Sequence, residues 1–148
     1  MRRYFEDFQV GETWQRKRVR LSRANMIDYA KVYDPQPIHT DPVAASDGPF
    51  GTVIASGWQI AALSMRLFVE SGGYGETPVV GMGIEHLRWR RPVRPDDRLH
   101  VTREIIATER SETKPDRGMI KTKVSVTNQN DEVVMTLVSL GQVPARPA

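Results

Sequence analysis

The stretch Ser56-Gly57-Trp58-Gln59-Ile60-Ala61-Ala62-Leu63-Ser64-Met65-Arg66-Leu67-Phe68-Val69-Glu70-Ser71-Gly72-Gly73 decides the fold. Trp58, Ile60, Ala61, Ala62, Leu63, Met65, Leu67, Phe68 and Val69 place apolar groups on nearly every side of a helix that ends near Gly72-Gly73. A helix with so little polar surface must be wrapped by other elements. The rest of the chain predicts strands, roughly Val79 to Arg91, Leu99 to Thr108, Met119 to Asn128 and Val133 to Val143. Period-two alternation is clearest at Ile120, Thr122, Val124 and Val126. Pro95-Asp96, Pro115-Asp116-Arg117-Gly118 and Asn128-Gln129-Asn130-Asp131 have turn chemistry between successive strands, which predicts an antiparallel meander rather than crossover βαβ units. The fold class is therefore α+β, with one buried helix against a curled antiparallel sheet.

Working back from the helix, Ser22 is an N-cap for a segment in which Met26, Ile27, Tyr29, Ala30 and Tyr33 give one apolar face. That helix must end near Asp34, because Pro35 and Pro37 push their predecessors Asp34 and Gln36 toward extended conformations. A stiff, kinked loop is expected there. Asp41-Pro42 then opens a short helix over Val43, Ala44 and Ala45. Upstream, Arg16, Arg18 and Arg20 alternate with Lys17, Val19 and Leu21 as on an exposed edge strand following Trp14.

The chain of 148 residues has no internal repeat, low-complexity tract or Gly/Ser linker, so residues 1–148 read as a single domain. As a monomer of this size it would bury roughly 70% of its unfolded surface. The net charge of +3 favours anionic partners without singling out nucleic acid, membrane or a phosphorylated small molecule. The absence of cysteine removes disulfides, thiolate zinc sites and a cysteine nucleophile. Met1-Arg2-Arg3 meets acids at once without an apolar leader, and no apolar run approaches membrane-spanning length. A cytoplasmic protein with no membrane partner is the expectation.

Two groups of residues suit chemistry. Asp34-Pro35-Gln36-Pro37-Ile38-His39 sets a carboxylate and an imidazole five residues apart in a proline-stiffened loop. Acid/base catalysis needs such groups at fixed separation, and histidine titrates nearest neutrality. The same residues also suit a helix-ending aspartate and a hydrogen-bonded histidine beneath a loop. The second group is Ser56-Gly57-Trp58 at the mouth of the apolar helix, where unpaired N–H groups and the dipole favour negative charge. Here Gly57 equally suits close packing, and Ser56 an N-cap.

These residues carry a resemblance. Asp34-Pro35-Gln36-Pro37-Ile38-His39-Thr40-Asp41 followed by Gly57 resembles the Asp-x-Asn-Pro-x-His-x-Asp signature and glycine-led central helix of the MaoC-like dehydratase and (R)-specific enoyl-CoA hydratase family. Leu87 to Asp97 is similar to the family's strand and turn after the helix. The resemblance implies the hotdog fold, a long central helix wrapped by an antiparallel sheet, and a homodimer or larger homo-oligomer. It implies that Asp34 and His39 activate water for addition to C3 of a 2-enoyl-CoA and deliver a proton to C2, or run the reverse dehydration. The Gly57 N–H would bind the thioester oxygen, Asp41 would cap the next helix, and neither metal nor redox cofactor would be needed. Three residues depart from the family's pattern: Gln36 where asparagine is common, Ser56 where histidine is common, and Trp58 where a smaller residue is common. With the loop, these three are expected to shape the substrate pocket.

Arg88, Arg90 and Arg91, with Arg94 and Arg98, suit phosphate contacts to CoA and equally suit a solvated strand edge. Nucleic-acid binding ranks lower, since Asp96 and Asp97 share that segment and no recognition module is present. His39, His86 and His100 have no zinc-ligand spacing. A hotdog acyl-CoA thioesterase and a non-catalytic acyl-CoA-binding protein are the alternatives, because fold alone does not fix function.

Overall fold

A computed structural model describes all 148 residues. Strand β1 (Thr13–Arg20) is followed by helices α1 (Arg23–Tyr33), α2 (Pro37–Thr40), α3 (Pro42–Ser46) and α4 (Gly57–Glu70). Strands β2 (Val80–Trp89), β3 (Arg98–Arg110), β4 (Arg117–Thr127) and β5 (Val133–Pro144) complete the chain. The sheet order is β1-β3-β4-β5-β2, with every pairing antiparallel. No helix is long and apolar enough to cross a membrane.

The alternating residues of β3 and β4 build the core as their period dictates. Leu99, Val101, Val124 and Val126 point inward and form one buried cluster with Met135 and Leu137 of β5, Ile60 and Leu67 of α4, and Met26 of α1. Helix α1 starts where expected, the Ser22 hydroxyl accepting from the Asn25 N–H at 3.2 Å. Of its expected apolar face only Met26 and Ala30 are buried, and Tyr33 stays in solvent.

Three expectations are corrected. The sheet is not a simple meander, since β3, β4 and β5 follow one another but β2 lies on the far side of β5. The physical reason lies in residues 90–97, which cross over instead of turning back. Ala55 N–H donates to the Val93 carbonyl, and the buried Asp97 carboxylate accepts from the Arg94 N–H at 2.9 Å and the Gln129 amide at 3.0 Å. Those bonds tie the crossing to the core and to the β4–β5 turn. Secondly, α4 is not wrapped on all sides. Ile60, Leu67 and Phe68 are buried, but Trp58 is 57% exposed, Met65 49% and Val69 61%, so one apolar stripe is left uncovered by the rest of the chain. Thirdly, the loop after Asp34 contains a helical turn. Pro37 occupies the first position of α2, where its missing N–H costs nothing.

Alternation in β1 is also interrupted. Arg18 has φ +58° at a bulge between Arg16 and Val19, which shifts the register against β3.

Candidate active site

The site is built where three segments meet. Helix α1 ends at Asp34, whose N–H still donates to the Ala30 carbonyl. Helix α2 then carries His39 back toward residues 53–56, an extended rail whose Ile54 N–H donates to the Ile38 carbonyl at 3.1 Å. Val53, Ala55 and Ser56 of this rail are buried, so it is fixed from both sides. Asp41 caps α3 as expected, accepting from Val43 and Ala44 at 3.0 and 3.1 Å.

This scaffold brings the two groups read from the sequence into contact. His39 Nε2 lies 3.3 Å from Asp34 Oδ2. The other ring nitrogen, Nδ1, is 2.7 Å from the Ile54 carbonyl oxygen. A carbonyl only accepts, so Nδ1 carries a proton and Nε2 is the ring nitrogen left facing the carboxylate. The imidazole is buried to 8% exposure, which fixes its plane.

Asp34 is held by two further donors. The Gln36 amide donates to Oδ1 at 2.7 Å, and the Ser56 hydroxyl donates to Oδ2 at 2.7 Å. These bonds hold the Asp34 carboxyl below the usual carboxylate range, the Gln36 bond contributing most, then Ser56, with the nearby His39 adding to them and burial opposing. The carboxylate is thus kept ionised beside the imidazole.

A cleft of about 290 Å³ opens next to this pair, lined by His39, Gly57 and Ile60, by Phe50 and Ile54, and by Trp89 to Val93. Gly57 begins α4, and its N–H has no acceptor within the chain. An added Cβ at Gly57 would run into the Trp89 indole, so the glycine is also required by packing. Ser56 stands at the N-cap position without a capping bond, its hydroxyl being committed to Asp34.

The remaining residues singled out from the sequence fall into different places. Arg90 and Arg91 line the cleft, Arg91 pairing with Glu132 at 3.0 Å. Arg88 lies outside it and donates to the Leu87 carbonyl. Trp58 does not line the cleft and packs edge-to-face on Trp89, which does, ring centroids 5.0 Å apart. Arg94 donates to the Phe50 carbonyl at 2.7 Å and so steadies one wall. His86 is exposed on β2, and His100 contacts Gln15; neither lines the cleft. Missing from the sequence reading were Phe50, Pro92 and Val134 as walls and the Ile54 carbonyl as the partner of His39. A carbonyl leaves no trace in residue identity, and the walls depend on how residues 90–97 cross the sheet.

The fold thus sets a carboxylate and an imidazole beside the head of a central helix, and comparison with known proteins gives the family. The MaoC like domain family matches residues 7–130, and the chain belongs to that family. It superposes with a TM-score of 0.86 on the MaoC-like dehydratase from Rhodospirillum rubrum, with 37% identity over 98% of this chain and 99% of that one. It is 32% identical over 145 residues to the 3-hydroxybutyryl-CoA dehydratase of Methylorubrum extorquens, covering 97% of this chain and 85% of the relative. It is 31% identical over 126 residues to the Bacillus subtilis protein YdeM, covering 85% and 88% of the two chains. The curled five-stranded sheet around α4 is thus the hotdog fold.

Proposed function

We propose that this protein is a hydro-lyase that adds water to a 2-enoyl-CoA, or removes it from a 3-hydroxyacyl-CoA, using Asp34 and His39 as its acid/base pair. The observation that carries this reading is the 3.3 Å contact between His39 Nε2 and the Asp34 carboxylate beside the free N–H of Gly57. Water is a weak nucleophile and needs a base, and the Asp34 carboxylate is kept ionised for that role. As the water oxygen bonds to C3, Asp34 takes its proton and the π electrons move onto the thioester oxygen. The Gly57 N–H and the α4 dipole stabilise that enolate. His39 Nε2 then delivers a proton to C2 as the enolate collapses, and the proton on Asp34 returns to Nε2 across the 3.3 Å contact. The balance is one water added across C2 and C3, without a redox step.

Arg90 and Arg91 at the cleft give the CoA phosphates a cationic mouth. We assign the uncovered apolar surface to a second copy of this chain. Strand β2 is a sheet edge that exposes Val80, Met82 and Ile84, and Trp58, Met65 and Val69 of α4 add to the same uncovered apolar surface. Two β2 edges paired antiparallel about a two-fold axis would continue the sheet and bury those residues.

The test is to incubate the protein with crotonyl-CoA while following the conjugated-thioester absorbance and free thiol together. Hydration predicts loss of absorbance, 3-hydroxybutyryl-CoA as product and no thiol. Thiol release without hydroxyacyl product would make the protein a thioesterase instead.

A further inference from the structure

The inner face of β3 carries one residue that breaks its apolar alternation. Leu99, Val101 and Ile105 point into the core, and Arg103 occupies the inward position between them at 7% exposure. A buried guanidinium normally has a carboxylate partner. Arg103 has none: it takes part in none of the chain's ion pairs, and its Nε atom is buried without a hydrogen-bond partner. Its guanidinium lies 4.2 Å from the Phe68 ring centroid, a contact that orients the charge without neutralising it. Burial depresses the pKa of the group, while Tyr74 favours its charged form.

Arg103 also borders empty space. A cavity of about 330 Å³ lies at the C-terminal end of α4, with Arg103, Thr122, Ser139 and Tyr74 as its polar wall and Phe68 and Leu140 among its apolar residues. It shares no residue with the catalytic cleft, and Phe68 stands eleven residues beyond Gly57, roughly 16 Å along the helix. We propose that this cavity is a carboxylate-binding subsite in which Arg103 is the anchor. A single cation in a mostly apolar chamber suits a monoanion on an aliphatic stem, whereas a phosphate dianion would leave charge unmatched and lose more hydration.

Such a carboxylate has two sources: a free small carboxylic acid, or the far end of a substrate's acyl chain. The second source rests on the hydratase and homodimer readings above. Val79, Gly81, Gly83 and Ile84 at the start of β2 line the Arg103 cavity, while Trp89 at the end of β2 lines the catalytic cleft. Antiparallel pairing of two β2 edges therefore sets the Arg103 cavity of one protomer beside the cleft of its partner.

The experiment has a binding arm and a kinetic arm, both on the full chain. In calorimetry, butyrate and hexanoate are expected to bind the wild type saturably. Arg103→Met should weaken that binding at least tenfold, with Arg103→Lys intermediate. Thr122→Val, which keeps the charge, provides a second localisation if Arg103→Met does not fold. In the kinetic arm, kcat/KM for 2-hexenedioyl-CoA relative to 2-hexenoyl-CoA is compared between wild type and Arg103→Met. A fall of tenfold or more in this ratio shows an acyl-borne carboxylate. An unchanged ratio, with butyrate bound by the wild type and weakened in Arg103→Met, shows that the site takes a free carboxylate; butyrate binding that Arg103→Met leaves intact overturns the proposal. No saturable binding of either acid to wild type, together with an unchanged ratio, overturns the proposal. If no enoyl-CoA is turned over, the hydratase reading fails and the calorimetry still decides the subsite.

Discussion

His39 meets Asp34 in a fixed geometry because each is held by further hydrogen bonds. Nδ1 is committed to the Ile54 carbonyl, and the carboxylate is turned toward the ring by the Gln36 amide and the Ser56 hydroxyl. Gln36 and Ser56, expected from the sequence to shape the substrate pocket, both contact the carboxylate. The candidate pair was legible in Asp34-Pro35-Gln36-Pro37-Ile38-His39; its supports were not, because two of them join segments far apart in the chain. The supports make a prediction. Asp34 is held below its ordinary pKa, so its ionised form persists until the pH falls through that lowered value. Gln36→Ala removes the largest cause, raises the carboxyl toward its ordinary value, and should move the acidic limb of the kcat/KM profile to higher pH. Measuring that profile for wild type and variant checks it; an unmoved acidic limb would separate Gln36 from the titration of Asp34.

At the level of elements, the sequence reading succeeded where local chemistry decides and failed where tertiary context does. Ser22 and Asp41 cap their helices as their side chains suggest. The turn at α2 was legible from Pro37 by the same reasoning that found Pro42, but the effect of each proline on its predecessor suggested an extended loop. The crossing of residues 90–97 depends on bonds from Asp97 and Ala55 to distant partners, which no local pattern announces. The head of α4 rests on Gly57 against Trp89, where an added Cβ has no room. Gly57→Ala should therefore destabilise the fold by about 1–3 kcal/mol through overpacking. Denaturant melts of Gly57→Ala, Trp89→Ala and the double variant form a cycle in which removing the indole relieves the alanine, giving a coupling of about 0.5–3 kcal/mol. Additive losses would show that the two residues do not compete for space.

For the molecule as a whole, the expectation of a helix wrapped on every side was correct for one copy of the sheet and helix only in part. The exposed stripe of Trp58, Met65 and Val69 explains the apolar character of Ser56–Gly73 once a second copy is placed against it. The lesson is physical: hydrophobic periodicity reports that a surface is buried and does not say which chain buries it. Replacing Met82 and Ile84 with lysine puts two charges on the β2 edge and should convert the proposed homodimer to monomer without unfolding it. Sedimentation velocity reads the mass directly; an unchanged dimer would place the interface elsewhere, and a monomeric wild type would contradict it altogether.

In the proposed mechanism Asp34 and His39 work as one acid/base unit. The most direct measurement is the rate of crotonyl-CoA hydration by Asp34→Asn against wild type, with the fold checked by circular dichroism. Loss of the carboxylate's proton-accepting role should lower kcat by about two to four orders of magnitude. A folded Asp34→Asn variant with near-wild-type turnover would contradict the mechanism.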